Sequence, residues 1–248
     1  MTGMHKVKLI CEGKSKKVYE TQYPDYYIVE YKDDAVAFNG LKRGTVKGKG
    51  AINNLISNHL MKLLEKNNIA THFVQEISPC ESIVKRVDII PIEVVVRNFA
   101  AGSLSQRLGI PEGIKLPNTV VEICYKNEEL HDPLVNDFHI KALGLATDEE
   151  IKYITETALK INKILSEYLI DLNIELIDFR LEFGKDNNGK ILVADEISPD
   201  TCRFWDSVTK EKLDKDRFRQ DLGNIEAAYH EVLKRLTGLS KEKKEKKK

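Results

Sequence analysis

The chain has 248 residues with 39 basic and 39 acidic side chains, so its formal net charge is zero when histidine is neutral. This balance argues against a general nucleic-acid-binding protein, and 42% hydrophobic with 31% charged residues excludes a disordered or collagen-like chain. The charge is uneven: residues 241–248 hold six Lys and two Glu, so this tail carries +4 and the remainder −4. We expect the tail to be disordered.

The sequence also indicates where the protein resides. It has no apolar run near the roughly 20 residues of a membrane-spanning helix, and Met1 to Lys8 lack an apolar signal segment. We therefore expect a soluble, cytoplasmic protein with no membrane partner. The four cysteines lie tens of residues apart without a C-x-x-C pair, which favours free thiols.

The first third predicts strands around one helix. Helical apolar spacing covers 50–66, and Pro91 is expected to be a hinge between lobes. The strand-like runs are 7–10, 17–21, 26–31, 71–77, 82–89 and 92–96. We therefore predict a β-rich N-terminal lobe over residues 1–90 and a larger mixed C-terminal lobe over 91–240.

The second half mixes helices and strands. Thr147 and Glu150 fit a capping box that opens a long helix, whose apolar stripe runs from Ile151 to Leu172. A last helix is expected from about 215 to 236. The segment between these helices, 175–206, carries most of the chemistry-bearing residues.

Alternation along this segment predicts a hairpin. In the strand 175–183 one face carries Ile177, Phe179, Leu181 and Phe183, and the other carries Asp178, Arg180 and Glu182. Asn188-Gly189 follows, a strong signal for a β-hairpin turn, so the residues after it are expected to form the returning strand.

The length of this turn decides which charges meet. A two-residue turn places Glu182 opposite Asp195, where like charges repel, whereas a four-residue turn places Arg180 opposite Asp195. If Glu182 and Asp195 meet, two interpretations are open: a surface cluster neutralised by Arg180, or a Mg²⁺ site. Mg²⁺ that carries a nucleotide phosphate is commonly held by one or two carboxylates.

A glycine with neighbouring lysines separates the first two predicted strands, in Glu12-Gly-Lys-Ser-Lys-Lys17. The glycine lets the backbone approach a ligand, and Lys14 and Lys16 point to one face where both can reach phosphate oxygens. The segment is not a Walker loop. Since lysines at a hairpin tip are usually only solvated, it is by itself a weak indication of phosphate binding.

Two further segments suggest anion binding. A buried-looking strand ends at Arg97 and runs into a small-residue turn with Ser103, which can hold a phosphate with Arg97 as a forked donor; alternatively, Ser103 is only a helix N-cap. Residues 195–206 combine several acids with Arg203 and the only tryptophan, a density more typical of a site than of a linker.

These segments match a known family when they are taken in chain order. They are Glu12-Gly-Lys-Ser-Lys-Lys-Val-Tyr19, Lys32-Asp-Asp-Ala35, Pro91-Ile-Glu-Val-Val-Val-Arg-Asn98 with Ala101-Gly-Ser103, His131-Asp-Pro133, Leu176-Ile-Asp-Phe-Arg-Leu-Glu-Phe-Gly184, Asp195-Glu-Ile-Ser-Pro-Asp-Thr-Cys-Arg-Phe-Trp-Asp206, and Asp214-Lys-Asp-Arg-Phe-Arg219. The chain resembles the SAICAR synthetase family over nearly its whole length, the tail excepted. The stretches 97–103 and 176–184 are highly specific signatures of that family.

The resemblance implies a two-lobed α+β fold, similar to kinase and ATP-grasp folds, with ATP bound between a β-rich N-terminal lobe and a larger C-terminal lobe. It implies an ATP-dependent, Mg²⁺-using ligase of purine biosynthesis. The substrates are L-aspartate and carboxyaminoimidazole ribonucleotide (CAIR), and the products are SAICAR, ADP and phosphate. A homodimer or higher homo-oligomer is also implied.

The resemblance assigns roles by matching position. Lys14, Lys16 and Lys126 are expected to contact ATP phosphates, and Glu182 and Asp195 to hold Mg²⁺; Lys14, Glu182 and Asp195 form the expected catalytic set. Arg97, Ser103 and Arg203 are expected to bind the CAIR phosphate, with Asp200, Lys215 and Arg219 as further substrate contacts. Backbone groups of 85–90 are expected to bond to adenine.

One position departs from the family, which usually has lysine where this chain has Arg180. Arginine keeps the charge but changes reach and geometry.

Two other functions remain as alternatives: a small-molecule kinase, which needs the same lysines and acids, and a nucleic-acid-binding protein that uses the basic tail.

Overall fold

The computed structural model describes residues 3–238, so the predicted disordered tail lies outside the described residues. The strands in this range are β1 (Lys6–Glu12), β2 (Lys16–Thr21), β3 (Tyr26–Tyr31), β4 (Asp34–Ala37), β5 (Lys42–Thr45), β6 (Phe73–Ser78), β7 (Glu81–Lys85), β8 (Asp88–Phe99), β9 (Lys115–Tyr125), β10 (Leu134–Val135), β11 (Ile174–Lys185), β12 (Ile191–Ala194) and β13 (Cys202–Asp206). The helices are α1 (Lys49–Lys66), α2 (Gly102–Leu108), α3 (Asp137–Leu143), α4 (Asp148–Ile170), α5 (Asp216–Arg219) and α6 (Ile225–Thr237).

The N-terminal third forms an antiparallel sheet in the order β1-β2-β3-β7-β6. Helix α1 packs on this sheet and also contacts α6. Its apolar stripe, which includes Ile52, Ile56 and Leu60, is buried, as the helical spacing predicts. Strands β4 and β5 form a separate ribbon that contacts α5.

A second antiparallel sheet has the order β10-β9-β8-β11-β12, and β13 also pairs with β11. Helix α4 covers one face with the stripe that contains Ile154, Ile161 and Leu165, all fully buried. The predicted capping box of α4 is present, because the side chains of Thr147 and Glu150 each accept the other's backbone N–H. The predicted mixed α+β architecture is confirmed.

Strand β12 also connects the two sheets. Val193 accepts a hydrogen bond from His72 N (2.9 Å) and donates one to Ala70 O (3.0 Å). His72 directly precedes β6 of the first sheet, whereas β12 pairs with β11 of the second. This junction holds the sheets together along one edge.

The β11–β12 hairpin has a register that differs from both predictions. Glu182 pairs with Ala194, not with Asp195, and the turn consists of the three residues 187–189. The Asp186 carboxylate accepts two backbone N–H bonds within the loop, and Gly189 takes a positive φ of 76°. Asp186 and Gly189 together stabilise a three-residue turn, so the two-residue and four-residue turns are both wrong.

Pro91 lies inside a strand and not in a loop. Strand β8 is continuous from Asp88 to Phe99, and its pairing with β11 shifts register between Ile89 and Glu93. Proline has no N–H for the ladder, so a bulge is where a central strand accommodates it. The lobe boundary between residues 90 and 91 stays a prediction.

The last predicted helix is interrupted. Helix α5 ends at Arg219 and α6 begins at Ile225. Between them Asp221, Gly223 and Asn224 have positive φ, which a helix cannot continue through.

The described residues contain no helix that is long and apolar enough to cross a membrane. The four cysteines carry free thiols, and Cys202 is buried.

Candidate active site

A cavity of about 530 Å³ lies between the facing sides of the two sheets. Apolar side chains of the first sheet, such as Val18, Val29 and Val84, line one part of it. Seven of the predicted site residues also line it: Lys14, Lys16, Lys126, Glu182, Asp195, Lys215 and Arg219. The other four, Arg97, Ser103, Asp200 and Arg203, lie outside the lining.

The β1–β2 hairpin presents two lysines to this cavity. Gly13 closes the turn by donating to Lys16 O (2.8 Å). Lys14 Nζ lies 3.2 Å from Glu128 and is 44% exposed. Lys16 is 16% exposed, binds Asp195 and lies 3.1 Å from Glu196 Oε1. Lys14 and Lys16 therefore both face the cavity, as the prediction that they point to one face requires.

The carboxylates of Glu182 and Asp195 both face the cavity although they do not pair across the hairpin. In a regular strand Asp195 would point to the face opposite Glu182, because Glu182 pairs with Ala194. Asp195 instead takes a positive φ of 60°, which ends β12 and turns its side chain back. Left-handed backbone at a non-glycine residue is strained, and such strain clusters at functional sites.

Neighbouring charges act differently on these two acids. Burial and the negative charge of Asp195 raise the pKa of Glu182, despite its ion pair with Lys126. Burial also opposes ionisation of Asp195, but Lys16, with Arg180 and Lys126, outweighs it and holds the pKa of Asp195 at about 2. The pair therefore has an excess of negative charge that a cation would relieve.

His72 holds the strained residue in place, although no sequence pattern pointed to this histidine. Its ring Nε2 donates to Asp195 O over 3.0 Å, since a carbonyl can only accept. Burial lowers the pKa of His72 to about 4. The ring is therefore neutral near pH 7 and acts as a fixed donor at the cavity wall.

A second cluster lies outside the cavity lining and centres on Asp178. This carboxylate lies opposite Arg97 on β8 and opposite Arg203 on β13, and both arginines donate to its Oδ2 over 2.7 Å. Arg97 also donates to Glu122 (2.7 Å), and Arg203 to Asp216 (2.7 Å). Alternation had placed Asp178 on the charged face of its strand, but only the sheet order reveals its position between two arginines.

The small-residue turn completes this cluster. Arg97 Nη2 donates to Ser103 Oγ over 3.0 Å. The N-cap of α2 is Ala101, so Ser103 is not the cap that one interpretation assumed. Gly102 has a φ of +53°, and a Cβ there would lie 2.3 Å from Arg203 Nη2. A glycine is required because Arg203 packs directly on the backbone.

Asp200 lies in a buried network behind the cavity. Its Oδ2 accepts from Lys49 Nζ (2.8 Å), and its Oδ1 accepts from Tyr229 Oη–H (2.6 Å). Lys49 is only 1% exposed and had no signal in the sequence. Lys215, which directly precedes α5, and Arg219 of α5 line the cavity, and Arg219 donates to Asp216 over 2.6 Å.

Arg180 lines the cavity on the same strand face as Glu182. Its Nη1 lies 3.3 Å from Glu93 Oε2, and its side chain is 44% exposed. It lies opposite Val95, not opposite Asp195. The guanidinium therefore remains accessible from the cavity.

Comparisons with known proteins identify the family of this chain. The SAICAR synthetase family matches residues 9–236. The phosphoribosylaminoimidazole-succinocarboxamide synthase of Coprothermobacter proteolyticus is 59% identical over 94% of this chain and 99% of that protein. The solved synthase of Ehrlichia chaffeensis has a TM-score of 0.91 at 45% identity, covering 93% of this chain and 98% of that one. A SAICAR synthetase solved in complex with ADP has a TM-score of 0.89 at 53% identity, covering 92% and 97%. The chain belongs to the SAICAR synthetase family.

Proposed function

We propose that this ligase of purine biosynthesis uses ATP to join L-aspartate to the carboxylate of CAIR through an acyl phosphate, giving SAICAR, ADP and phosphate. One observation carries the proposal: a single cavity holds lysines for phosphates, a carboxylate pair for a cation, and further cations beyond them. The lysines match the phosphates of a nucleotide, the carboxylate pair matches its metal ion, and the further cations match an anionic substrate.

The nucleotide occupies the part of the cavity next to the first sheet. Val18, Val29 and Val84 offer an apolar surface for the base, and Lys14, Lys16 and Lys126 meet the phosphates. The N–H groups of Lys85 and Arg86 already donate to His72 O (2.7 Å) and Asp25 O (2.8 Å). Adenine contacts from 85–90 must therefore come from its carbonyls or its later N–H groups. The relative solved with ADP supports nucleotide use.

The residues present fit a Mg²⁺ ion at Glu182 and Asp195. Both are hard oxygen donors that face the cavity, and burial together with their mutual repulsion raises the pKa of Glu182. Mg²⁺ usually takes one or two carboxylates and completes its shell with phosphates and water. When bound, the ion supplies positive charge at the transferring phosphate.

The CAIR phosphate is assigned to the cluster of Arg97, Ser103 and Arg203. Arg97 and Arg203 share one carboxylate, Asp178, so the two guanidinium groups are held side by side. Forked donors suit a phosphate. Asp200 has both oxygens occupied within the protein, and its direct substrate contact stays a prediction.

The proposed chemistry follows from the charges. A carboxylate is a poor acylating agent because its leaving group would be oxide. Transfer of the γ-phosphoryl group to the CAIR carboxylate creates a phosphate leaving group, which the amine of aspartate then displaces. This transfer depends on positioning and charge neutralisation, so no nucleophilic cysteine or serine is required.

Arg180 is expected to contribute charge to the same site. It faces the cavity beside Glu93, 3.3 Å away, and its fork suits a carboxylate of either substrate. Its exposure leaves room for this contact, in place of the lysine that the family usually has.

The test measures ADP release with CAIR and L-aspartate added singly and together. We expect sustained turnover only with both, and SAICAR as the product. Sustained ADP release with CAIR alone would favour the kinase alternative, and no turnover with both substrates would refute the proposal.

Three accompanying expectations are tested separately. The homodimer or larger assembly is checked by light scattering, and the cytoplasmic location by fractionation. Nucleic-acid binding through the tail is checked by comparing full-length protein with a variant lacking 241–248. We expect no salt-dependent binding in either.

A further inference from the structure

One buried lysine in the cavity donates no hydrogen bond from its Nζ to any of residues 3–238. Lys215 immediately precedes α5 and lines the cavity. Its side chain is 10% exposed, and its Nζ lies 3.9 Å from Asp200 Oδ2, too far for a hydrogen bond. Among residues 3–238, Nζ of Lys215 donates no hydrogen bond to a side chain or to the backbone.

The nearby carboxylate is already satisfied. Asp200 accepts from Lys49 at Oδ2 (2.8 Å) and from Tyr229 at Oδ1 (2.6 Å). Lys49 and Lys215 thus share one negative charge, which makes Lys215 the surplus cation of the group. A buried amine in such surroundings favours its neutral form.

The charged groups around Lys215 act mostly in the same direction. Burial contributes most; Arg219 of α5, Arg180 of β11 and Lys49 of α1 add repulsion, and Asp200 opposes them. Together they lower the pKa of Lys215 to about 8. A substantial neutral fraction is then present just above neutral pH, as a base requires.

We propose that Lys215 is the catalytic base that accepts the proton from the attacking amine of aspartate. The proposal rests on the proposed function. As the C–N bond forms, the C–O bond to phosphate breaks and its electron pair leaves with phosphate. The nitrogen loses its proton to the neutral Lys215 amine, and the released phosphate takes that proton to restore the base. No oxidant or reductant is needed.

Three other titratable groups of the cavity are less suited to this step. Lys16 is held as a cation by Asp195 and Glu196, which raise its pKa. The low pKa of Asp195 makes it a weak base. The Nε2–H of His72 is committed to Asp195 O. Lys215 alone in this comparison combines access to the cavity with a basic nitrogen that donates no hydrogen bond to residues 3–238.

The test compares Lys215→Arg and Lys215→Gln with wild type, using SAICAR formation as the readout. Arginine keeps the charge but cannot deprotonate. We expect both variants to lose about 10²- to 10⁴-fold in kcat, the usual contribution of a general base. Lys212→Gln is the matched control, because Lys212 is also well buried (13% exposed) but pairs with Glu112 outside the cavity; its kcat is expected to be unchanged.

The pH profile separates proton transfer from a purely structural role. Wild-type kcat is expected to rise with pH through an apparent pKa near 8, and Lys215→Arg to lack that limb. Lys215→Cys alkylated with bromoethylamine carries a less basic amine at nearly the same position. We expect this alkylated variant to regain activity, with the rising part of its kcat–pH profile moved to lower pH. Wild type treated identically is the control.

Specific results overturn the assignment. A Lys215→Arg variant with kcat within a few-fold of wild type refutes it. A higher KM at unchanged kcat shows binding only and also refutes it, as does an alkylated variant that regains activity with the limb unmoved. If wild type itself forms no SAICAR, the proposed function fails instead.

Discussion

Gly102 offers a sharp test of the phosphate cluster. Its φ of +53° strains any other residue, and a Cβ would lie 2.3 Å from Arg203 Nη2 and 2.8 Å from Cζ. In Gly102→Ala, Arg203 must therefore move away from its 2.7 Å contacts with Asp178 and Asp216. Gly109, at the other end of α2, has a φ of +64° but nothing within 4 Å of its Cβ position. Gly109→Ala is thus a control for the backbone strain alone.

The expected magnitudes differ accordingly. Left-handed strain costs about 1–2 kcal/mol in either variant. Loss of one charged hydrogen bond of Arg203 adds about 1.5–3 kcal/mol in Gly102→Ala only. The same displacement is expected to raise the KM for CAIR by about 10- to 150-fold, since 1.4 kcal/mol is tenfold.

Urea unfolding and steady-state kinetics with varied CAIR measure both effects. Gly109→Ala should lose only the strain contribution and keep wild-type CAIR kinetics. Equal losses of stability in the two variants, or an unchanged KM for CAIR in Gly102→Ala, would refute the role given to Arg203.

Three further predictions concern individual side chains. Arg97→Lys should raise the KM for CAIR about tenfold or more, because one ammonium replaces a fork that meets two carboxylates and a hydroxyl; unchanged CAIR kinetics would contradict the assignment. Glu182→Gln should lose Mg²⁺-dependent turnover while keeping its thermal unfolding temperature, since the Lys126 left without its partner is 40% exposed; normal activity across a Mg²⁺ titration would contradict the metal role. The free energy of unfolding of wild type minus that of Lys215→Gln should increase by up to about 3 kcal/mol between pH 8 and 10.5. In this range Lys215 is protonated in the unfolded chain but neutral in the folded protein. A difference that does not change with pH would show that folding does not lower the pKa of Lys215.

Local patterns predicted the elements well because their causes are local. The stripe of α4 and its Thr147–Glu150 cap depend on spacing within one helix, and both are present. The alternating faces of β11 hold for Phe179, Leu181 and Phe183, which pack in one core cluster. A register shift between Leu176 and Asp178 breaks the alternation, so Ile177 packs in a separate cluster with Trp205 and its predicted face was wrong. The break between α5 and α6 was missed because Gly223 was outweighed by the apolar spacing around it.

Register and pairing between strands depended on details that spacing does not encode. The Asp186 carboxylate, by accepting two loop N–H groups, stabilises a three-residue turn where Asn188-Gly189 alone favours two. Glu182 and Asp195 still reach one cavity, but through the positive φ of Asp195 and not by direct pairing. The expected proximity was therefore obtained by a different geometry.

Residues that act from other elements were the hardest to predict. Lys49 and His72 lie more than 100 residues from the groups they bind, Asp200 and Asp195. A buried lysine or histidine in a helix or before a strand has no short-range signature. Only the packing of α1 and β6 against the loop after β12 makes these contacts visible.

Most of the predicted ATP and metal ligands pair with one another or with neighbouring charges of the protein. Lys16 pairs with both Asp195 and Glu196, Lys126 pairs with Glu182, and Lys14 lies beside Glu128. If Mg²⁺ and ATP bind as proposed, each lysine leaves its carboxylate and pairs with a phosphate of ATP. The carboxylates then pair with Mg²⁺, so new ion pairs replace the protein's own. The cost of separating the protein's own ion pairs is then offset by the new ones. Lys215 differs from this set because its carboxylate is already occupied, which leaves its amine available for proton transfer.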